Sequence, residues 1–222
     1  VNLNKAVTQL MKKLDVELSC SCLTGDTKVP LLDGRILTME ELLEEFGTEK
    51  PFWVYASDEK GDFVPAQAKC LGQTGLVSDL MEIELDNGEK VRCTKDHLFR
   101  MRDGSYKRAD ELEKDDSLLP LYMKETEPNA KFSQSYKKVQ YNSKRDTLGR
   151  PIHKTVYRIV AETLLDDLRK KKIDEVEDSY LVVHHKDMNS KNDCPENLEW
   201  MTAEEHWQLH TKYHPNATKA YL

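Results

Sequence analysis

CLTGDTKVP, residues 22–30, and GEKVRCTKDHLF, residues 88–99, are the two stretches from which the architecture follows. The first opens with a thiol, continues Leu-x-Gly-Asp-Thr and runs into a short strand-prone segment. The second reads as a strand entering a turn and carries Thr94-x-x-His97. A nucleophile in one segment and a hydroxyl with an imidazole in another are parts for acyl transfer. A cysteine attacking the peptide bond before it needs that amide polarised or distorted, and the departing nitrogen needs a proton. Thr94 can hydrogen-bond near the scissile group, and His97 can donate the proton.

Around these segments, from Cys22 to about Tyr122, short strand-like runs alternate with Asp-Gly, Lys-Gly and Asn-Gly dipeptides, the pattern of a β-rich domain. One helix interrupts them, LTMEELLEEFG, with Thr38 as N-cap, Glu41 closing a capping box and Gly47 as C-cap. Upstream, NLNKAVTQLMKKLDVELS spaces Val7, Leu10, Met11, Leu14 and Leu18 as a short amphipathic helix. No solenoid-period repeat is visible.

The two segments resemble the N-terminal splicing region of inteins, the Hint fold. The likeness covers about residues 22–122 and includes a closing pattern in YKRADELEKDDSL, where Asp115-Asp116 stands in place of the family's usual Gly-Asp. The resemblance implies that Cys22 performs an N-to-S acyl shift onto the carbonyl of Ser21, assisted by Thr94 and His97. The cleavage site would be Ser21–Cys22, and residues 1–21 would be the helical end of a covalently attached host protein, the N-extein. Cys20 is a competing thiol, but Leu-Thr-Gly-Asp follows Cys22. The family's C-terminal splicing half is not found, and the chain ends HPNATKAYL. Cis-splicing by this sequence is therefore not expected. It reads as the N-terminal piece of a split or broken intein with a C-terminal partner fragment, as a truncated chain, or as an endonuclease on a degenerate Hint half.

A second constellation is HHKDMNSKNDCPENLEWMTAEEH, residues 184–206. The preceding SYLVV reads as a strand, and TAEEHWQLHTKYH as a helix with Thr202 as N-cap and Glu205 at N3. Adjacent histidines on a strand point to opposite faces, so one can ligate a metal while its neighbour faces water. Phosphodiester hydrolysis asks for a base to deprotonate that water and for positive charge on the developing phosphorane. His184-His185, Asn197 twelve residues after the second histidine, and His206 nine residues further resemble the HNH, or ββα-metal, nucleases of homing endonucleases. This likeness covers roughly residues 148–213. It implies His185 as general base, Asn197 orienting its imidazole through the side-chain carbonyl, and His184 with His206 binding one divalent cation, Mg²⁺ before Mn²⁺ or another transition metal. Asn192 and Asp193 would shape the loop; His210 and His214 read as surface residues.

Charge separates the two halves of the chain. The net charge is −7. Up to residue 120, 16 Lys and Arg stand against 24 Asp and Glu; after it, 17 stand against 16. Residues 131–158 hold Lys131, Lys137, Lys138, Lys144, Arg145, Arg150, Lys154 and Arg158 against Asp146 alone, a local field suited to a DNA backbone. Phe132, Tyr136 and Tyr141 lie between these cations, and the tyrosines could pack on sugar or bases. Five cysteines without a C-x-x-C pair argue against a disulfide scaffold and suit a reducing cytoplasm, that of a bacterium or a phage-infected cell. No apolar run suggests export or a membrane partner.

The expected fold class is therefore mixed α+β. Residues 1–21 form the host flank, 22–122 a β-rich partial Hint domain, 123–147 a basic DNA-binding arm or linker, and 148–222 an HNH nuclease domain acting on double-stranded DNA.

Overall fold

Strands in the first half stay short because turn-forming residues interrupt them every few positions. The computed structural model describes residues 22–213 apart from 71, 73, 74, 129–133, 146 and 177–179, with the backbone alone at 141–145 and 151. The helix expected at residues 2–19, and Ser21, lie outside the described residues.

β1 (Lys28–Pro30) and β2 (Ile36–Thr38) form an antiparallel hairpin. Its turn contains Gly34 at φ 97°, a conformation that costs a side-chain-bearing residue energy. Helix α1 (Met39–Phe46) follows at once. Thr38 and Glu41 make the expected capping box, and the N–H of Gly47 donates to the carbonyl of Leu43. Three more antiparallel pairs complete this half: β3 (Phe52–Ser57) with β4 (Phe63–Ala68), β5 (Leu80–Glu84) with β6 (Lys90–Thr94), and β7 (Leu98–Arg100) with β8 (Tyr106–Arg108). The result is a set of small sheets with few helices.

The segment expected as a linker is largely strand. β9 (Met123–Glu125), β10 (Lys137–Arg145) and β11 (Pro151–Thr155) form one three-stranded sheet in the order β11-β10-β9. Val139 of β10 is fully buried, which turns a polar-looking stretch into a structural one. The run TVYRIVAETLLDDLRKKK, residues 155–172, has the apolar spacing of one helix but forms two, α2 (Val156–Leu164) and α3 (Asp166–Glu175), parted at Leu165 with φ −117° and ψ 22°. Asp166 and Asp167 lie in the first turn of α3, where carboxylates favour a new helix start. β12 (Leu181–His185) then pairs antiparallel with β13 (Leu198–Thr202), and α4 (Ala203–Tyr213) completes a ββα unit.

Two cores hold these parts. Leu31, Leu42, Phe52 and Cys70 cluster under α1. The larger cluster joins Leu32 and Phe63 of the first half to Val139, Val156, Ile159, Val160, Ala161, Leu181, Val183, Leu198 and Trp200 of the second. At about 1.5–3 kcal/mol for each large apolar side chain taken out of water, this cluster outweighs the exposed ion pairs, whose contribution is small. The apolar core thus runs across the expected boundary between residues 122 and 148. Among the described residues, no helix is long and apolar enough to cross a membrane.

Candidate functional site

The end of β6 positions the first constellation. The Cys22 N–H donates to Thr94 Oγ1 at 3.0 Å, and the Thr94 N–H donates to the Cys22 carbonyl at 2.9 Å. Leu23 bridges Cys93, and the Thr24 N–H donates to the carbonyl of Arg92 at 3.1 Å, so the backbone after Cys22 is laid along β6. The nitrogen held by Thr94 is the one joining Cys22 to the preceding residue, which makes the buried hydroxyl a partner of the bond the sequence marks for scission. His97 follows on the same turn, its N–H donating to the carbonyl of Thr94 at 3.1 Å. Burial pushes its imidazole below the ordinary histidine range, and Nδ1 has no hydrogen-bond partner among the described residues. A neutral imidazole with an uncommitted buried nitrogen is able to accept or relay a proton.

The second constellation depends on strand alternation. His184 and His185, buried at 3% and 7% exposure, leave β12 on opposite faces. His184 turns toward α4, where His206 and His210 are one turn apart and share a helix face. The Thr202–Glu205 capping box fixes the start of that helix, with 3.1 Å from the Glu205 N–H to Thr202 Oγ1 and 2.7 Å from the Thr202 N–H to Glu205 Oε2. The rings of His206 and His210 lie 5.3 Å from that of His184 and 4.4 Å from each other, centre to centre. One ring nitrogen from each lies within 4.8 Å of the others. Burial, with some help from the neighbouring imidazoles, pushes His184 down to about 4, and burial also lowers His206. Neutral imidazoles are the ligating form, and three converging nitrogens fit a transition metal. His210, read from sequence as a surface residue, therefore completes the group; its spacing of four from His206 on a helix is the signal that could have found it.

On the opposite face, His185 Nε2 meets Asp193 Oδ1 at 3.0 Å. The Tyr157 ring stands edge-on at 5.3 Å and the Tyr136 ring tilts at 6.2 Å. Asn197 does not take the role expected of it. Its Oδ1 accepts from the Asp187 N–H at 3.1 Å, and its Nδ2 donates to Asp187 Oδ1 and to the carbonyl of Asn192. Asn197 ends a single 3₁₀ turn, Pro195–Asn197, from which its amide ties the loop together rather than reaching the imidazole. His185 is also enclosed rather than turned to open solvent. Asp193, 1% exposed, is pushed up from the usual carboxylate range by burial, against the pull of His185, Lys137 and Lys191.

The expected DNA-binding cations are dispersed. Lys137 is half-buried, with Nζ 3.5 Å from Tyr55 Oη, and burial lowers its ammonium from the ordinary lysine range. Lys154 and Arg158 both pair with Glu162, at 3.5 and 3.0 Å, and Arg158 also lies over the Trp200 ring. Lys138 is half-buried and Arg150 exposed, while the side chains of Lys144 and Arg145 lie outside the described set. Tyr136 packs on Tyr157 and His185, so it walls the imidazole. The acid that answers Lys154 and Arg158 lies just beyond the basic window of sequence, one helical turn after Arg158.

Comparison with known proteins adds a family. The model of the intein splicing domain matches residues 29–193. The DNA gyrase B protein of Synechocystis sp. is 32% identical over 194 residues, covering 86% of this chain and 17% of that protein. Replication factor C small subunit of Methanocaldococcus jannaschii is 33% identical over 99 residues, 45% of this chain and 5% of its own length. The chain thus spans a small part of these relatives. Among solved structures, a DnaB intein from Synechocystis sp. PCC 6803 is similar with a TM-score of 0.38 and 24% identity, over 44% of this chain and 67% of that one. A variant of the Ssp DnaB mini-intein gives 0.40 and 24%, over 46% and 66%.

Proposed function

This chain belongs to the intein splicing domain family, and we propose that it couples the first step of protein splicing at Cys22 to a metal-dependent DNA endonuclease built on residues 181–213. The observation that carries the nuclease reading is the convergence of His184, His206 and His210 on one side of β12 while His185 occupies the other. A divalent cation held by the three imidazoles would supply positive charge to a scissile phosphate and its leaving oxygen. The all-nitrogen donor set favours a transition metal over Mg²⁺, which prefers oxygen ligands. His185 takes the proton of the attacking water. Double-stranded DNA is the substrate, and the match to a gyrase B protein over most of this chain suggests such a protein as host and its gene as target.

In the splicing reaction, Cys22 Sγ attacks the carbonyl carbon of Ser21. The C–N bond to Cys22 breaks, a thioester forms, and the proton given up by the Cys22 thiol is relayed through the His97 imidazole to the freed nitrogen while Thr94 aligns the departing N–H. A C-terminal splicing segment would be needed to finish splicing, whether in the same polypeptide or supplied in trans. The alternative reading, a splicing fragment with an inactive nuclease, rests on the Cys22–Thr94 geometry alone.

Plasmid nicking separates the two readings. With a target site from a gyrase B gene and Mn²⁺ present, the parent should convert supercoiled plasmid to nicked or linear product. His185→Ala should lose that activity and still bind the DNA; persistent nicking would mean that His185 is not the base. For the splicing step, dithiothreitol should cleave the chain between Ser21 and Cys22, and Cys22→Ala should abolish the cleavage. Products that survive Cys22→Ala would refute the acyl shift.

A further inference from the structure

The β12–β13 hairpin is closed by residues 186–197, a connection too long to fix the position of its own members. Its internal bonds, from Asn197 to Asp187 and Asn192, bind the loop to itself. They do not say where Asp193 stands relative to the rest of the protein. That is set from outside. The Asp193 N–H donates to the carbonyl of Leu32 at 2.7 Å, and Leu32 is a fully buried member of the main core. Trp53 Nε1 donates to Glu196 Oε1 at 2.9 Å. Between these contacts, Gly34 lies so close to the loop that a Cβ on it would come 2.9 Å from the carbonyl oxygen of Lys191.

The turn that provides these contacts is itself braced. The Leu31 N–H donates to the carbonyl of Arg35 at 2.9 Å. The Arg35 guanidinium binds Asp33 and, through two nitrogens, both carboxylate oxygens of Glu45 on α1. Leu32, in turn, donates its N–H to the carbonyl of Trp53 at 3.1 Å. A rigid element of the splicing half therefore ends in a hydrogen bond to the backbone of the carboxylate that touches the His185 ring.

We propose that the Leu31–Arg35 turn of the splicing half belongs to the working scaffold of the nuclease, fixing Asp193 as the positioning residue that holds the His185 imidazole. The proposal rests on reading residues 184–206 as a nuclease site. Asp193 accepts from Nε2–H, which fixes the tautomer and leaves Nδ1 as the nitrogen with a lone pair. A ring held through a carboxylate, itself anchored to a core strand turn, keeps one orientation; released from that anchor it samples several, and fewer of them can take a proton from water.

The test uses the full chain labelled with ¹⁵N-histidine, with three readouts: the downfield, slowly exchanging Nε2–H resonance of His185, the nicking rate, and the affinity for Co²⁺ from its absorption bands. The parent should show the resonance. Asp193→Asn should move it upfield and lower kcat for nicking by about 10-fold or more, with KM and Co²⁺ affinity unchanged. Gly34→Ala, on the splicing half, should broaden or abolish the same resonance and lower kcat, with Co²⁺ affinity again unchanged. Trp53→Phe, which keeps an aromatic ring and removes the bond to Glu196, should speed exchange of that proton in a folded background. An exchange-averaged His185 signal in the parent, or an unaltered signal in both Gly34→Ala and Trp53→Phe, would overturn the proposal. So would a loss of Co²⁺ affinity in step with kcat, which would mark general loosening of the fold. A parent that shows the full resonance pattern and its response to the variants, yet never cuts DNA, would support the scaffold while removing the nuclease reading.

Discussion

The two constellations are assembled by opposite means. At Cys22, position comes from the backbone: the residue is laid along the end of β6 by paired main-chain bonds, and a single side chain, Thr94, reaches the nitrogen that the proposed acyl shift would release. At His184, position comes from side chains on two elements, a strand and a capped helix, that converge on one point. A backbone-defined site tolerates changes in neighbouring side chains and depends on strand pairing. A site defined by convergent side chains depends on each of them. The first should therefore fail gradually, apart from its nucleophile, and the second abruptly.

That contrast meets its severest trial in His210→Ala, since the imidazole removed is one of three. Affinity for Co²⁺ or Zn²⁺ should fall at least about 100-fold, beyond the loss usual for a supporting residue; calorimetric titration reads it. An unchanged affinity would leave His184 and His206 as the only ligands. At the other site, Thr94→Val keeps the shape and removes the oxygen that accepts the Cys22 N–H. Thiol-induced cleavage should slow by about tenfold, the equivalent of roughly 1.4 kcal/mol of barrier, rather than stop. Complete loss would show that Thr94 does more than align the amide. The smallest effect is on stability. His184 is held at about 4 in the folded chain against an ordinary value of 6.5, so the unfolded chain takes up a proton first as pH falls. Stability from this group is full above pH 6.5, declines between 6.5 and 4, and is gone below. In chelator-treated protein the melting temperature should fall by a few degrees across that window, and less in His184→Asn.

Much of the local structure is legible in the sequence because short-range chemistry fixes it. Thr38 with Glu41, and Thr202 with Glu205, show both capping boxes in four letters each. Strand alternation alone puts His184 and His185 on different faces. What stays hidden depends on partners far away in sequence. Asp193 reads as one more loop acid until Leu32 is seen to hold its backbone. Lys137 reads as a phosphate ligand until β9 and β10 pair and Tyr55 covers it. Val139, the one aliphatic side chain between Phe132 and Leu148, gives too weak a period to reveal a strand, yet it is fully buried. Strand β13 is obscured by its composition: LEWMT places Leu198, Trp200 and Thr202 on one face, but Met201 is buried on the other, so the alternation of apolar and polar residues is lost. His210 is the avoidable omission, because its spacing of four from His206 along one helix is in plain view.

The apolar cluster that takes Leu32 and Phe63 from one half and Val139, Val160 and Leu198 from the other bears on how such a protein can be shortened. Anyone engineering a minimal splicing element by excising the second half would strip a greasy wall from the piece retained, inviting clumping in the test tube. Polar replacements at positions 32 and 63, or a short transplanted strand in place of β10, would have to accompany the cut.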